Sequence, residues 1–408
     1  MVDLAVSSPY LHVLDAQRAA LVAALAPVVT TDDIAAARRR SARMSVRLDA
    51  SPLTDDTADA VDASGHPAAD ASGPASRGLS QATSRPRADA PISGTASDAR
   101  HRGPRGGQTF GARRGGAGWA AALRLDGVPT QDIAAVEYRG MLAAQVAEAT
   151  MAETFLEAPV HTLVQAARVV TGGLVDPDRV GALRLTSRAV HDGAQGRVIF
   201  QAPPPERLRD LLADLDTWVR TEGRSVPPLA LAGVVHGRLL HWRPFEAGNG
   251  RVARLASRLA LRASGGDPWG LAVPEDRYLA DQLRYATEVA ATIRRGSDLR
   301  PWNEWTGEAV VVSLERAARD RALAPPAPDA RAVSVCRALD PGDTMTVLEL
   351  AASTDMDRDD ALVQANLLCW AGLLSRDPGT HGLRYVRAAR DVSDGAGDPT
   401  RTSGIIPP

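Results

Sequence analysis

The sequence predicts an all-α protein: a helical domain with one small β-hairpin flap, followed by a winged helix-turn-helix-like domain. Apolar residues recur at helical spacing through most of residues 130–322. Strand-like alternation is confined to Val190–Ala202. After Ala324-Pro325-Pro326-Ala327-Pro328 the pattern restarts as three short helices and two strands.

The 408 residues allow two or three domains with a sizeable core. A formal net charge of -2 gives no global attraction to nucleic acid or to a membrane surface. All 47 basic side chains are arginine, which with the abundant Ala, Gly and Pro fits the codon bias of a GC-rich bacterial genome. The two cysteines, Cys336 and Cys369, lie far apart in apolar surroundings and read as buried free thiols. Met1–Tyr10 lacks the basic start and long apolar core of a secretion signal, and no apolar run is long enough to span a membrane. A cytoplasmic protein is expected, and the sequence leaves room for a homodimer without fixing the oligomeric state.

Taken in order, residues 10–27 read as an Ala/Leu-rich helix. Thr31-Asp32-Asp33 caps a second helix ending near Arg40, which sets an N-terminal helical segment at 1–40. Large apolar residues then nearly vanish, and 41–117 reads as a disordered linker. Its arginines fit either a solvated linker or an arm touching nucleic acid. Folded sequence resumes for a domain at 118–323. Trp119–Leu125 is helical and stops at Asp126-Gly127. Helices follow at Thr130–Glu153, Val160–Thr171, Glu206–Arg220, Leu229–His241, Asn249–Ala263, Arg277–Arg295 and Trp302–Arg321. Helices at Val333–Leu339, Val347–Ser353 and Arg358–Ala371, with strands near Leu374 and Leu383–Val386, define the second domain at 329–388. Its second motif helix would be the base reader, but it opens among Asp355, Asp357, Asp359 and Asp360, which repel phosphate. A protein-contact or packing role is expected there rather than nucleic-acid binding. Residues 389–408 form a flexible tail.

Arg243-Pro244-Phe245-Glu246-Ala247-Gly248-Asn249-Gly250-Arg251-Val252-Ala253-Arg254 is the stretch that carries chemistry. Glycines let successive N–H groups point into one concavity. The following helix adds the positive end of its dipole, so the turn is an anion site suited to phosphate. On the turn alone, a Gly-rich helix cap with solvated arginines fits as well.

The full stretch resembles the Fic family, whose pattern is H-P-F-x-[D/E]-G-N-G-R-x-x-R. Pro244, Phe245, Gly248, Asn249, Gly250, Arg251 and Arg254 match it. The resemblance spans roughly 118–322. It implies an all-helical fold, transfer of AMP or another phosphate-containing group from ATP or another nucleotide to a protein hydroxyl, and an unidentified protein target. It further implies that Gly248, Asn249 and Gly250 cradle phosphates by main-chain N–H, and that Arg251 and Arg254 bind the outer phosphates. Pro244 and Phe245 would shape the loop, and the hairpin would clamp a target segment by strand pairing.

Two departures touch the chemistry. Arg243 stands where the family has its general-base histidine, and arginine has no lone pair to accept a proton. Ala247 stands where the family has the acid that holds a metal on the phosphates, and Mg²⁺ usually needs a carboxylate there. AMP transfer is therefore expected to be weak or lost, and a metal doubtful. Arg243 would instead add a cation to the anion site. His241, two residues upstream, is the candidate substitute base for an active transferase; a non-catalytic adaptor is the third reading. The family's inhibitory motif, [S/T]-x-x-x-E-[G/N], has its spacing at Ala122–Gly127, which makes Asp126 a candidate partner of Arg254. A helix simply ending at Asp-Gly fits equally well. Arg258 and Arg262 share the face of Arg251 and Arg254 but lie further from the turn, and are expected to be structural or partner contacts.

Overall fold

The computed structural model describes residues 4–64, 108–110, 130–192, 198–377 and 380–389. Helix α1 (Pro9–Leu25) opens with Ser8 accepting the Leu11 N–H and with Pro9 in the first turn. Helix α2 (Thr31–Leu48) starts in a capping box between Thr30 and Asp33, and α3 (Asp55–Ala63) is capped by Thr54. Strand β1 (Gln108–Phe110) is followed by α4 (Thr130–Phe155), α5 (Pro159–Thr171), strands β2 (Ala189–Asp192) and β3 (Val198–Gln201), and α6 (Leu208–Thr221). Then come α7 (Pro228–Trp242), α8 (Asn249–Ala263), α9 (Glu275–Ala280), α10 (Gln282–Arg295) and α11 (Arg300–Arg319).

Helix α7 is apolar on nearly every face, and its residues from Leu229 to Gly237 are all buried. That is the pattern of a central core helix. Helix α8 lies against it and is buried from Arg251 to Leu261, three arginines included. Buried charges must be paired. Helix α4 supplies acids on the facing side: Arg251 Nη1 lies 2.8 Å from Glu137 Oε1, and Arg258 Nε 2.9 Å from Glu148 Oε2. Arg258 also donates to the carbonyls of Gly270 and Ala272. Arg258 is thus structural, as is the looser Arg262–Glu148 pair at 3.7 Å.

Residues 41–64 correct the sequence reading. They are not linker: α2 runs on to Leu48 and α3 follows, so the N-terminal segment does not stop at residue 40. The inner face of α2 is small and polar, with Ser41, Ala42, Ser45 and Val46 all buried. It is held by hydrogen bonds: Ser41 donates to Glu275, Gln145 donates to Ser41, and Arg254 donates to Ser45. Outside, Arg43 ties α2 to Asp59 and Asp62 of α3. A search for large apolar residues passes over such an interface. Trp119–Leu125 and Asp126 lie outside the described residues. The helix expected at 277–295 is two helices, broken at Asp281, whose side chain caps α10 by accepting the Arg284 N–H.

The hairpin expected near Val190–Ala202 is the antiparallel pair β2–β3, with Val190 opposite Phe200. Strand β1 adds to β2 in parallel, Thr109 opposite His191. The chain's own strand therefore takes one edge of the hairpin, and β3 is the other edge of the sheet.

Residues 329–388 hold α12 (Ala330–Arg337), β4 (Thr344–Thr346), α13 (Val347–Thr354), α14 (Arg358–Trp370), β5 (Leu374–Arg376) and β6 (Arg384–Arg387), with an antiparallel sheet of order β4-β6-β5. The sequence pattern does not announce β4. The acids that open α14 have a local purpose: Asp357 accepts the Asp360 N–H, and Asp359 and Asp360 sit at the positive end of the helix. Arg376 of β5 is buried against Glu315 of α11 at 3.0 Å, and also donates to Gln17 of α1 and Asn366 of α14. This joint fixes the module against α1 and α11.

A second contact at the joint is pH-dependent. His381, between β5 and β6, has Nδ1 2.8 Å from Glu304 Oε2 on α11, and Glu304 also accepts the Ser8 hydroxyl. The hydrogen bond to Glu304 holds the His381 pKa above its ordinary value. The folded pKa is the higher one, so the stabilisation is full below the unfolded value of about 6.5 and is lost as pH rises through the folded one. His381→Ala is expected to lower the Tm at pH 6 and to have little effect at pH 9, a difference that calorimetry across that range will register.

Candidate functional site

The site lies where α7 hands over to α8. Arg243 ends α7 in the left-handed region, with φ 46° and ψ 59°. Arg184, itself buried, anchors this end by donating to the carbonyls of Arg243 at 2.7 Å and Trp242 at 3.1 Å. It thereby satisfies last-turn carbonyls that have no partner within the helix. The Arg184 N–H and the Glu246 N–H then pair with the carbonyls of Pro244 and Ala182, forming a short antiparallel bridge at Leu183–Phe245. Phe245 is 1% exposed and pins the loop to the core.

Asn249 closes the loop on itself. Its Oδ1 accepts the Phe245 N–H and its Nδ2 donates to the Phe245 carbonyl, both at 2.8 Å. Its side chain therefore shapes the turn. Gly248, with φ 66°, takes the left-handed step just before α8. At Gly250 a Cβ would lie 2.3 Å from Asp49 Oδ1, so only glycine leaves room for what sits on the turn.

What sits there is the carboxylate of Asp49, the residue that ends α2. Its Oδ1 accepts from Arg254 Nη2 at 2.8 Å, and its Oδ2 lies 3.5 Å from Arg251 Nε. Arg254 also donates to the Ser45 hydroxyl at 2.7 Å and the Ser45 carbonyl at 2.6 Å. Tyr285, whose hydroxyl lies 2.9 Å from His236 Nε2, also helps to hold the Arg254 charge. Burial alone would lower the Arg254 pKa, but Asp49 outweighs it and holds the value above normal. Gly250, Arg251 and Arg254 are thus brought together around one anion supplied by the chain.

His236 fits the core. It is wholly buried, its Nε2 lies 2.9 Å from the Tyr285 hydroxyl, and burial followed by the Arg254 charge pushes its pKa down to about 3. His241 lies in the last turn of α7, edge-on to Phe200 of β3 at 6.1 Å between centroids. Burial, then the charge of Arg238, pushes it down to about 4. Arg243 is 8% exposed, and burial draws its pKa down to about 10 against the pull of Asp49 and Tyr285. It remains a cation at neutral pH.

Ala247 is buried and presents a methyl group. Its neighbour Glu246 is drawn away to Arg179 at 2.8 Å and Arg188 at 3.7 Å. Asp49 is taken by two guanidiniums. The residues present do not fit a phosphate-bound metal, which needs free carboxylate oxygens beside the phosphates.

Sequence reasoning missed Asp49 and Ser45. Ser45-Val46-Arg47-Leu48-Asp49-Ala50 has the serine–acid spacing of the inhibitory motif, serine included, but it falls in the stretch read as linker. Tyr285 and Glu137 gave no signal at all, because each reaches the site from a separate helix.

Residues 143–261 match the Fic/DOC family. A protein of Caenorhabditis briggsae named protein adenylyltransferase fic-1 is 29% identical over 145 residues, 35% of this chain and 26% of that protein. A uridine 5'-monophosphate transferase of Xanthomonas campestris pv. campestris is 35% identical over 72 residues, 16% of this chain and 13% of that one. The match to the nematode protein spans about a quarter of that protein's length. The crystal structure of a Fic family protein from Desulfovibrio desulfuricans G20 superposes over 94% of this chain and 97% of its own, with a TM-score of 0.54 at 18% identity, which shows a shared fold.

Ala50 follows Asp49 with φ 60°, a left-handed conformation that costs a residue with a Cβ about 1–2 kcal/mol. The greater freedom of glycine in the unfolded chain offsets part of that cost. Ala50→Gly is expected to stabilise the protein by about 0.5–1 kcal/mol in urea denaturation.

Proposed function

Because the chain belongs to the Fic/DOC family through residues 143–261, we propose that it is a Fic-type protein that binds a nucleotide or other phosphate ligand on Gly248–Gly250, Arg251 and Arg254. In this reading Asp49 holds the site closed, and transfer of AMP to a protein hydroxyl is weak or lost. The observation that carries the proposal is the carboxylate of Asp49 on the turn, 2.8 Å from Arg254. A site that seats one oxyanion beside the glycine turn against two guanidiniums suits another. The spacing from Ser45 to Asp49 and the resemblance of the loop both support an inhibitory role for α2.

The same geometry argues against fast transfer. A target hydroxyl must lose a proton, and losing a general base typically forfeits ~10²–10⁴ in rate. Arg243 has no lone pair to offer. His241, with its pKa near 4, is neutral but too weak a base to take over, and it faces Phe200 of the hairpin. The metal position is an alanine.

Titration calorimetry tests ligand binding. ADP is expected to bind Asp49→Asn about 10- to 100-fold more tightly than the wild type, the worth of one charged hydrogen bond. Equal affinities would remove Asp49 from the role given to it. Absence of binding in both folded proteins would end the nucleotide reading. For the chemistry, labelled ATP with lysate should label little with Asp49→Asn alone. Adding Arg243→His and Ala247→Asp to that background should raise the label by about two orders of magnitude. A strong label with Asp49→Asn alone, abolished by His241→Ala, would instead establish an active transferase using His241.

A further inference from the structure

Helix α2 carries two polar stripes. Ser41, Ser45 and Asp49 face Glu275, Arg254 and the glycine turn. Arg43 and Arg47 are set off from these by two residues, about 200° around the helix. They meet α3 instead. Arg47 Nη2 lies 2.6 Å from Asp55, and Arg43 Nη2 lies 2.6 Å from Asp59 and 2.5 Å from Asp62. The order of pairing is reversed, so α3 runs back along the outer side of α2. Asp62 is also tied to α4, where the buried Tyr138 donates to it at 2.8 Å. The apolar anchorage of α3 is small: Ala58 is its buried residue, and Val61 is partly covered. Its residues include Asp55, Asp56, Asp59 and Asp62 and no basic side chain. A helix this short is marginal by itself, and like charges along it repel. The ion pairs with α2 therefore supply much of what docks it. Residues 50–54 alone join Asp49 to α3, and Arg47 Nε donates to the Leu53 carbonyl within that join at 3.4 Å. A docked α3 thus fixes the chain after Asp49, as α2 fixes it before. The Asp55 and Asp59 side chains are 71% and 66% exposed, so salt screens these pairs far more than the pair of Asp49 with the buried Arg254.

We propose that α3 is an ionic latch on the phosphate site: its pairs with Arg43 and Arg47 hold the Asp49 end of α2 on the glycine turn, and screening or removing them lets Asp49 leave. For the site to open, the Asp49 carboxylate must move off Arg254, and its backbone is tethered on both sides while α3 is docked. Undocking frees one side. Opening is thus linked to the docking of α3, and each ion pair lost from the latch shifts the equilibrium toward the open form. The inference rests on the phosphate-binding reading for what the open site receives, and deepens it by naming what sets the closure.

The first test needs no ligand. Hydrogen–deuterium exchange of the full chain reads the opening of residues 41–49 directly. Exchange there is expected to quicken about fivefold between about 0.05 M and about 0.5 M NaCl, while α7 stays unchanged. The double variant Arg43→Gln, Arg47→Gln is expected to exchange fast at both salt concentrations. Lysine at the same two positions keeps the charges and is expected to restore most of the protection and its salt dependence, which separates charge from the packing of the arginine stems. Asp55→Asn with Asp59→Asn cuts the same pairs from the exposed side and preserves the test if the glutamine variant does not fold. Salt-independent exchange in the wild type, or wild-type protection in a folded charge-neutral variant, would overturn the proposal. The second test is titration of ADP at about 0.05 M NaCl throughout, because salt also weakens the binding of an anion to arginine. The glutamine variant is expected to bind ADP about fivefold more tightly than the wild type. Unchanged affinity in that variant, while Asp49→Asn binds more tightly, would also overturn the latch. If neither variant binds ADP, the phosphate-binding reading fails, and the exchange measurement still decides the latch.

Discussion

The pairing of buried arginines along α8 is the constraint on which the rest of the structure depends. Arg251, Arg254 and Arg258 stand on one face of a helix packed into the core, and none of them reaches solvent. Each needs an anion, because breaking a buried pair costs on the order of 3–5 kcal/mol. Glu137 and Glu148 meet that need from α4, and Asp49 meets it from α2. The position of α4 along α8 and the docking of α2 thus follow from one electrostatic requirement. It also explains why a motif associated with ligand binding continues, two turns on, as part of the scaffold.

The same pairing sets the chemistry of the loop. The start of α8 is where an anion would sit, and the chain has set its own carboxylate there, against Gly250 and the guanidiniums of Arg251 and Arg254. Where the Fic pattern has a histidine and an acid, this chain has Arg243 and Ala247. Glu246, the acid nearest in sequence, is engaged by Arg179 and Arg188. Burial compounds the loss, because it strips His241 of basicity while leaving Arg243 charged. On the proposed function, a site built in this way would hold phosphate rather than remove a proton from a hydroxyl.

Most of the helices between Thr130 and Arg319 were legible because their apolar residues recur at helical spacing and their ends carry proline or glycine. The loop was legible through its resemblance to the Fic pattern, since the glycine turn alone fits a helix cap as well. The linker reading failed at Ser41–Ser64 for a physical reason. Helix α2 is attached through serines, an alanine and a valine, which in composition resemble a solvated segment. Only the tertiary structure reveals that Ser41 meets Glu275 and that Ser45 meets Arg254. The left-handed Ala50 had no glycine to mark it. Tyr285 and Glu137 were invisible because a residue's approach to a site across the fold leaves no local pattern.

The two N-terminal helices are bound by different forces, and this separates what is permanent from what is exchangeable. Helix α1 buries Leu11, Leu14, Leu21 and Leu25 against the core and shares the buried Gln17–Glu315–Arg376 network with the C-terminal module. Water cannot replace those apolar contacts, so α1 is held wherever the domain is folded. Helix α2 presents Ser41, Ser45 and Asp49 at four-residue intervals, one polar stripe facing Glu275, Arg254 and the glycine turn. Each of those hydrogen bonds has a net worth of only about 1 kcal/mol, rising to about 3 for the charged ones, because water or another anion offers a substitute. A phosphate on Arg254 would supply that substitute where α2 contributes most. On the proposed function, the capacity for exchange would be confined to α2, leaving the joint between the helical domain and the C-terminal module outside it.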